Sequence, residues 1–266
     1  MLDSSSVGGI ILAFLGILAG LIMEGGRIDQ VLQPTAAMIV FGGTFGAVLL
    51  QYPLSTVLEA LRRIARVFFS KKNAGHATLR QIVAFANKAR RNGIVSLDQD
   101  LNNIQDPFLR QAVMLAVDGT EPSELRAIME LQLANHSESE ENIPAVFESA
   151  GGFSPTIGII GAIIGLIQVM QHLNHISEVG RGIAVAFVAT IYGIASANIL
   201  FLPAAGKLKI RAREELRLKE MAIEGVVSIL EGMNPRMLEL KLQTFLTTPT
   251  QKIEKNKESA PQESTA

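Results

Sequence analysis

The chain of 266 residues contains no cysteine, which removes disulfides, thiolate nucleophiles and Cys-ligated metals from consideration. Enzyme signatures are missing as well: there is no Gly-rich phosphate loop and no Gly-x-Ser-x-Gly elbow, and no segment alternates as a strand would. The most informative shortage is of charge. Asp, Glu, Lys and Arg make up only 18% of residues against 48% hydrophobic, more apolar than a typical soluble domain. Four stretches hold none of these charged residues: 4–23, 30–58, 149–177 and 182–206. At about 1.5 Å per residue, 20 helical residues reach ~30 Å, the thickness of a bilayer's hydrocarbon core. Each stretch is therefore predicted to be a membrane-spanning helix.

The charges that remain are distributed unevenly. Of 24 Lys and Arg, 11 lie between Gln51 and Gly152 and 11 from Lys207 onward, leaving Arg27 and Arg181 for the short connections. By the positive-inside rule the central segment and the C-terminal part face the cytoplasm, and four spans put both termini there. Arg62, Arg63, Arg66, Lys71 and Lys72 weigh most, because they follow the second span closely. The N-terminal run has no basic n-region, is too long, and is followed by no A-x-A site, so it reads as a span and not as a signal peptide.

Small residues mark the spans. Gly16 and Gly20, Gly42 and Gly46, and Gly161 and Gly165 each stand four apart, on one helix face, where they allow the close backbone approach that holds helices together in lipid. A tightly packed bundle or an oligomer follows. Outside the spans the pattern is helical. Leu54 to Phe69 is expected to continue the second span as an amphipathic helix with Leu61, Ile64, Ala65 and Phe68 on its apolar face. Further helices are expected over His76 to Arg91, stopped by Asn92 and Gly93, over Pro107 to Val117, and from Thr120 to about His136. A polar break at Ser137 to Asn142 is expected before Pro144 starts the next helix. Glu138, Glu140 and Glu141 then lie in a solvated loop. Lys207 to Leu230 reads as a long basic helix, and residues 247–266 as a disordered tail. His172 and His175 stand three apart with no third ligand evident, and read as loop histidines.

Several segments, taken in order, resemble those of one family. They are Ala89-Arg90-Arg91-Asn92-Gly93-Ile94-Val95-Ser96-Leu97-Asp98, then Ser154-Pro155-Thr156-Ile157-Gly158, then Thr190-Ile191-Tyr192-Gly193, with Pro203, Glu224-Gly225 and Gly232-Met233-Asn234-Pro235-Arg236 following. Together they resemble the MotA/PomA family of flagellar motor stator subunits over nearly all of residues 1–246. The resemblance implies an all-α integral membrane protein of the bacterial inner membrane. It would have four transmembrane helices, a large helical cytoplasmic insert between the second and third, and a homo-oligomeric ring, five-membered in the family. The segments become 1–53 (two spans), 54–150 (cytoplasmic insert), 151–206 (two spans), 207–246 (cytoplasmic helices) and 247–266 (tail). The implied activity is not enzymatic: with a single-span MotB-type partner the subunit forms a proton channel and turns ion flow into torque on the rotor protein FliG. No nucleic acid and no cofactor beyond the coupling ion is implied. The residues agree with this division of labour. A proton path through lipid needs a titratable group at depth, these spans carry none, and the acid must come from the partner.

Individual positions carry further expectations from the resemblance. Thr190 matches a pore-facing threonine, so its hydroxyl either lines the ion path or bonds back to the carbonyl one turn earlier. Pro155 and Pro203 match the family's two functional prolines, and each frees a helix carbonyl, giving either a hinge beside the path or a fixed kink. Ala162 stands where sodium-driven members carry Thr. A methyl cannot ligate sodium, so proton coupling is expected and sodium coupling is disfavoured. Arg90 and Asp98 match an Arg and a Glu that face FliG, with Asp one methylene shorter, and Arg91 and Asp100 are expected to share that role. The related ExbB/TolQ energisers are the alternative reading. They have three spans and lack the Arg90 to Asp98 block, as a plain membrane scaffold would lack the paired prolines and the pore-facing Thr.

Overall fold

The computed structural model describes residues 3–68 and 74–246. Every regular element among them is helical, and the chain divides into two compact units, one drawn from Met1–Ser70 and Glu138–Ala212, the other from Lys71–Ser137 and Arg213–Ala266. Two helices run without a break from one unit into the other. Lys71, Lys72 and the tail 247–266 lie outside the described residues.

In the first unit, α1 (Ser4–Met23) opens on an Asp3 cap whose carboxylate accepts from the Ser6 N–H. None of its residues is buried against the rest of the chain. A 20-residue helix this apolar requires lipid or another subunit around it. After a short 3₁₀ turn (Ile28–Val31), α2 (Pro34–Gln51) starts with Pro34 in its first turn. Contrary to expectation, α2 does not continue into the amphipathic helix. Tyr52 and Pro53 are extended (φ −122°, ψ 145° and φ −56°, ψ 143°), since the ring of Pro53 disfavours a helical residue before it. The amphipathic part is α3 (Leu54–Arg63) followed by α4 (Ala65–Phe68). Its inward face is the expected one only in part: Val57, Ala60 and Val67 are buried and Phe68 packs against them, whereas Leu61, Ile64 and Ala65 are exposed.

The later spans belong to two long helices. α7 (Pro122–Gln171) contains Pro144 and Pro155 internally, and α8 (Ile176–Ala195) passes through a π-helical turn at Ser196–Phe201 into α9 (Leu202–Leu230). The expected break at Ser137 to Asn142 is therefore absent. Glu140 lies in the helix, 7% exposed, and pairs with Arg63 of α3, which also holds Glu59 at 2.5 Å. A buried carboxylate with a guanidinium partner is tolerated where a lone one is not, and this bond secures the stretch that looked like a loop. Four helices among the described residues are long and apolar enough to cross a membrane: Ser4–Met23, Ile28–Gln51, Pro122–Gln171 and Ile176–Leu230.

The second unit packs α5 (Ala74–Asn92), a 3₁₀ stretch (Ile94–Asn103), α6 (Pro107–Val117), the start of α7, the end of α9 and α10 (Pro235–Leu246). Gly93 stops α5 with φ 79°, a conformation costly to any residue with a Cβ. Asp106 caps α6, accepting from the Phe108 N–H at 3.0 Å. The core is largely aliphatic, with Ile82, Leu97, Leu109, Leu125, Met129, Met221, Leu238 and Leu242 all fully buried beside Phe85 and Phe108. Glu224 of α9 ties its rim together through Arg126 of α7 (2.8 Å) and Lys241 of α10. Burial works to raise the Glu224 pKa, but the hydrogen bonds from Lys241 and Arg126 outweigh it and hold the carboxyl below its ordinary range.

Candidate functional site

Within the first unit, α7 and α8 approach backbone to backbone. A Cβ built on Gly158 would lie 2.9 Å from the Ala189 carbonyl oxygen and 3.2 Å from Gly193 Cα. One on Gly165 would lie 2.7 Å from the Gly182 oxygen, and one on Gly161 2.7 Å from Ala189 Cβ. The Gly161 and Gly165 face expected to pack tightly thus does so, against Gly182, Ala186 and Ala189. The other two glycine pairs behave differently: nothing lies within 4 Å of a Cβ at Gly16, Gly20, Gly42 or Gly46.

Polar groups cluster where the two helices are closest. The hydroxyls of Ser154 and Ser196 are buried and 2.6 Å apart. Ser196 spends its proton on the Tyr192 carbonyl at 2.6 Å, so Ser154 donates to Ser196 and neither hydroxyl is left unpaired. Tyr192 closes the other side. Its hydroxyl donates to the Val31 carbonyl at 2.6 Å and accepts from the Gln33 N–H at 3.3 Å, and its ring stacks on Phe41. Sequence reasoning missed all three residues. Tyr192 and Ser154 stood inside motifs that had been singled out, but their partners lie on other helices.

The structure places each expected path residue on this pair of helices or just beyond it. Thr190 is half-buried, and its Oγ1 donates to the Ala186 carbonyl at 3.1 Å, the back-bonded arrangement. The oxygen's lone pairs remain able to accept. Its backbone lies against Gly158. Pro155 sits beside Gly193, whose Cβ would fall 3.2 Å from Pro155 Cα, and its ring takes the place of the N–H that the Gly151 carbonyl would otherwise receive. Ala162 is half-buried on α7. Pro203 is exposed and follows the π turn directly, where the Leu202 N–H donates to the Ala197 carbonyl five residues back. Such a wide turn absorbs the carbonyl that a proline displaces.

Arg90 and Asp98 lie in the second unit and are both exposed. Arg90 ends α5, and Asp98 sits on the 3₁₀ stretch. Arg91 lines the same cleft as Arg90. Asp100 does not share that role as a free charge, because it pairs with Lys88 at 2.7 Å. His172 binds the Gln168 carbonyl at 2.9 Å and faces Glu178 at 3.3 Å. One further ionic cluster was not foreseen. Asp3, besides capping α1, pairs with Lys207 at 2.8 Å and Arg211 at 2.7 Å on α9. The Lys207 hydrogen bond, with help from Ser5 and Ser6, holds its carboxyl well below the usual carboxylate range. Its position one residue before a charge-free run was the available signal.

The charge-free stretches of the pair, 149–171 of α7 and 182–195 of α8, thus meet backbone to backbone and carry a threonine and a proline, as a channel wall needs. Residues 7–93 match the family model for the motility protein A N-terminal region, and residues 100–221 match that of the MotA/TolQ/ExbB proton channel family. Motility protein A of Bacillus subtilis (strain 168) is 34% identical over 249 residues, covering 92% of this chain and 91% of that one. The chain belongs to the motility protein A family. Two solved structures share its fold at 32% identity. The C. jejuni MotAB structure has a TM-score of 0.88, covering 93% of this chain and 97% of that one. The flagellar MotAB stator complex from Bacillus subtilis has a TM-score of 0.86, covering 97% and 100%. Family membership makes the exposed apolar surfaces of α1 and α2 those of a membrane protein.

Proposed function

We propose that this chain is the channel-forming stator subunit of a bacterial flagellar motor, working with a MotB-type single-span partner. The agreement of the whole chain with two MotAB structures carries the reading. Four helices cross the inner membrane, both termini and the second unit are cytoplasmic, and several copies, five in the ring, surround the partner. The chain contributes no catalytic group. The charge-free stretches of α7 and α8 supply an uncharged wall, and the partner supplies the carboxylate that takes up the proton.

The coupling ion is the proton. Ala162 offers sodium no ligand, whereas water and the Thr190 oxygen suffice for passing a proton to a carboxylate. One charge crossing 100 mV releases ~2.3 kcal/mol, enough to bias a conformational step. Pro155 and Pro203, each next to a freed carbonyl, let α7 and α9 flex as the partner's acid is neutralised. The step moves the ring around the partner, and Arg90 and Asp98 press on the rotor protein FliG. Complementary charge there steers and orients the contact more than it adds affinity.

Proton flux into liposomes holding the complex tests this. Flux should require both proteins, should fall about tenfold in Thr190→Val, which loses the hydroxyl, and should persist in Thr190→Ser, one decade corresponding to ~1.4 kcal/mol. Flux from this chain alone would refute the reading.

A further inference from the structure

Beside Arg90 the second unit has a cleft of about 470 Å³ lined by Asn87, Arg90, Arg91, Asn234, Pro235 and Arg236. Three guanidinium groups from two helices meet in it with no carboxylate among its lining residues. The salt bridges formed among the described residues include none of the three arginines. Arg90 and Arg91 lie in the last turn of α5, where a cation complements the negative end of the helix dipole and has a reason in stability alone. Arg236 has no such reason. It stands in the first turn of α10, where the Asn234 side chain caps the helix by accepting from the Arg236 N–H at 3.0 Å. A cation there opposes the positive end of the dipole and repels two more cations across the cleft. An arrangement that costs the fold and gathers unpaired charge is suited to receiving an anion.

We infer that Arg236 of α10 is a specificity-determining contact in this cleft, adding a further guanidinium beside Arg90 for carboxylates of the rotor protein. This rests on the reading of Arg90 as a rotor contact and extends it to α10. The lining favours carboxylates: guanidinium groups grip them in a bidentate fork, Asn87 and the free amide of Asn234 add donors, and no aromatic side chain lines the cleft on which a nucleobase would stack.

The test compares Arg90→Glu, Arg236→Glu and Arg236→Gln in the full chain purified with its single-span partner. Binding to purified FliG and thermal unfolding of the complex are measured for each. Arg236→Glu should weaken FliG binding about tenfold or more, roughly the loss of one charge-assisted pair, with the deficit shrinking as salt rises. The same variant should unfold at an equal or higher temperature, since an acid suits that end of α10. A merely structural arginine would move both quantities down together. Arg236→Gln should show the same pair of signs with a smaller binding loss, and it serves if the reversal fails to accumulate. If Arg90→Glu loses binding and both Arg236 variants retain it, the cleft inference is overturned and the rotor reading survives. If Arg90→Glu also binds normally, the rotor reading itself is wrong. Tight binding of inorganic phosphate that FliG does not displace would also overturn the inference, assigning the cleft to a phosphate-bearing ligand.

Discussion

Replacing Gly193 with Ala adds one methyl where the structure leaves it no room. The new Cβ would lie 2.6 Å from the Ser154 carbonyl oxygen, 3.1 Å from Gly158 Cα and 3.2 Å from Pro155 Cα. All three are backbone atoms, so no side chain can turn aside. An ordinary C···O contact is about 3.3 Å or more, and α8 must therefore retreat from α7 by roughly 0.7 Å. A gap of that size forfeits a quarter to a half of the dispersion well for the atoms lining it, and overpacking of this kind typically costs about 1–3 kcal/mol. The retreat also stretches the Ser154 to Ser196 hydrogen bond, now 2.6 Å. For a chain of this size the expected fall in Tm is roughly 3–10 °C, measured by circular dichroism on the purified complex, with swimming reduced in parallel. Gly206→Ala is the control, because nothing lies within 4 Å of its Cβ. Equal melting and equal swimming of the two variants would refute the view that α7 and α8 depend on bare backbone contact.

Gly46→Leu should leave the helical content of a single chain intact, since its Cβ meets open space. It should shift the purified complex to smaller species by native mass spectrometry, because the unpaired glycine face then no longer fits a neighbouring subunit. The Asp3 carboxyl is held below its ordinary value of 3.8, so its pairs with Lys207 and Arg211 contribute stability in full above that pH. The contribution is lost as pH falls through and below it. An acid titration of unfolding should show this component in the native chain and not in Asp3→Asn, which keeps a capping oxygen but loses the charge. Motility should persist when sodium is removed at a constant proton gradient, and cessation would exclude proton coupling through the Ala162 wall.

The helices were legible where their causes are local. Pro107 opened α6, Gly93 stopped α5, and each charge-free run proved to contain a long apolar helix. The Gly161 and Gly165 face was readable because close backbone approach needs small residues whatever the partner. What could not be read had its cause elsewhere in the chain. The stretch Ser137 to Asn142 looks like a loop until Arg63, 77 residues away, is seen to bind Glu140. Leu61 and Ile64 were misassigned to the inward face because apolar residues in a membrane assembly also face lipid or other subunits, so both obey hydropathy while lying outside. The expected path residues rest on motifs alone. Ser154 and Tyr192 stood inside those motifs, but their bonds to Ser196, Val31 and Gln33 depend on distant parts of the chain meeting.

The π turn at Ser196–Phe201 fixes the phase of everything after it. Each residue advances a helix by about 100°, so deleting one residue there would restore an ordinary α-helix and swing Lys207 and Arg211 a quarter-turn or more away from Asp3. A point substitution within this turn changes a side chain, whereas a single-codon deletion changes which face of α9 looks at α1. Length is therefore the constrained quantity between residues 196 and 201, more than identity.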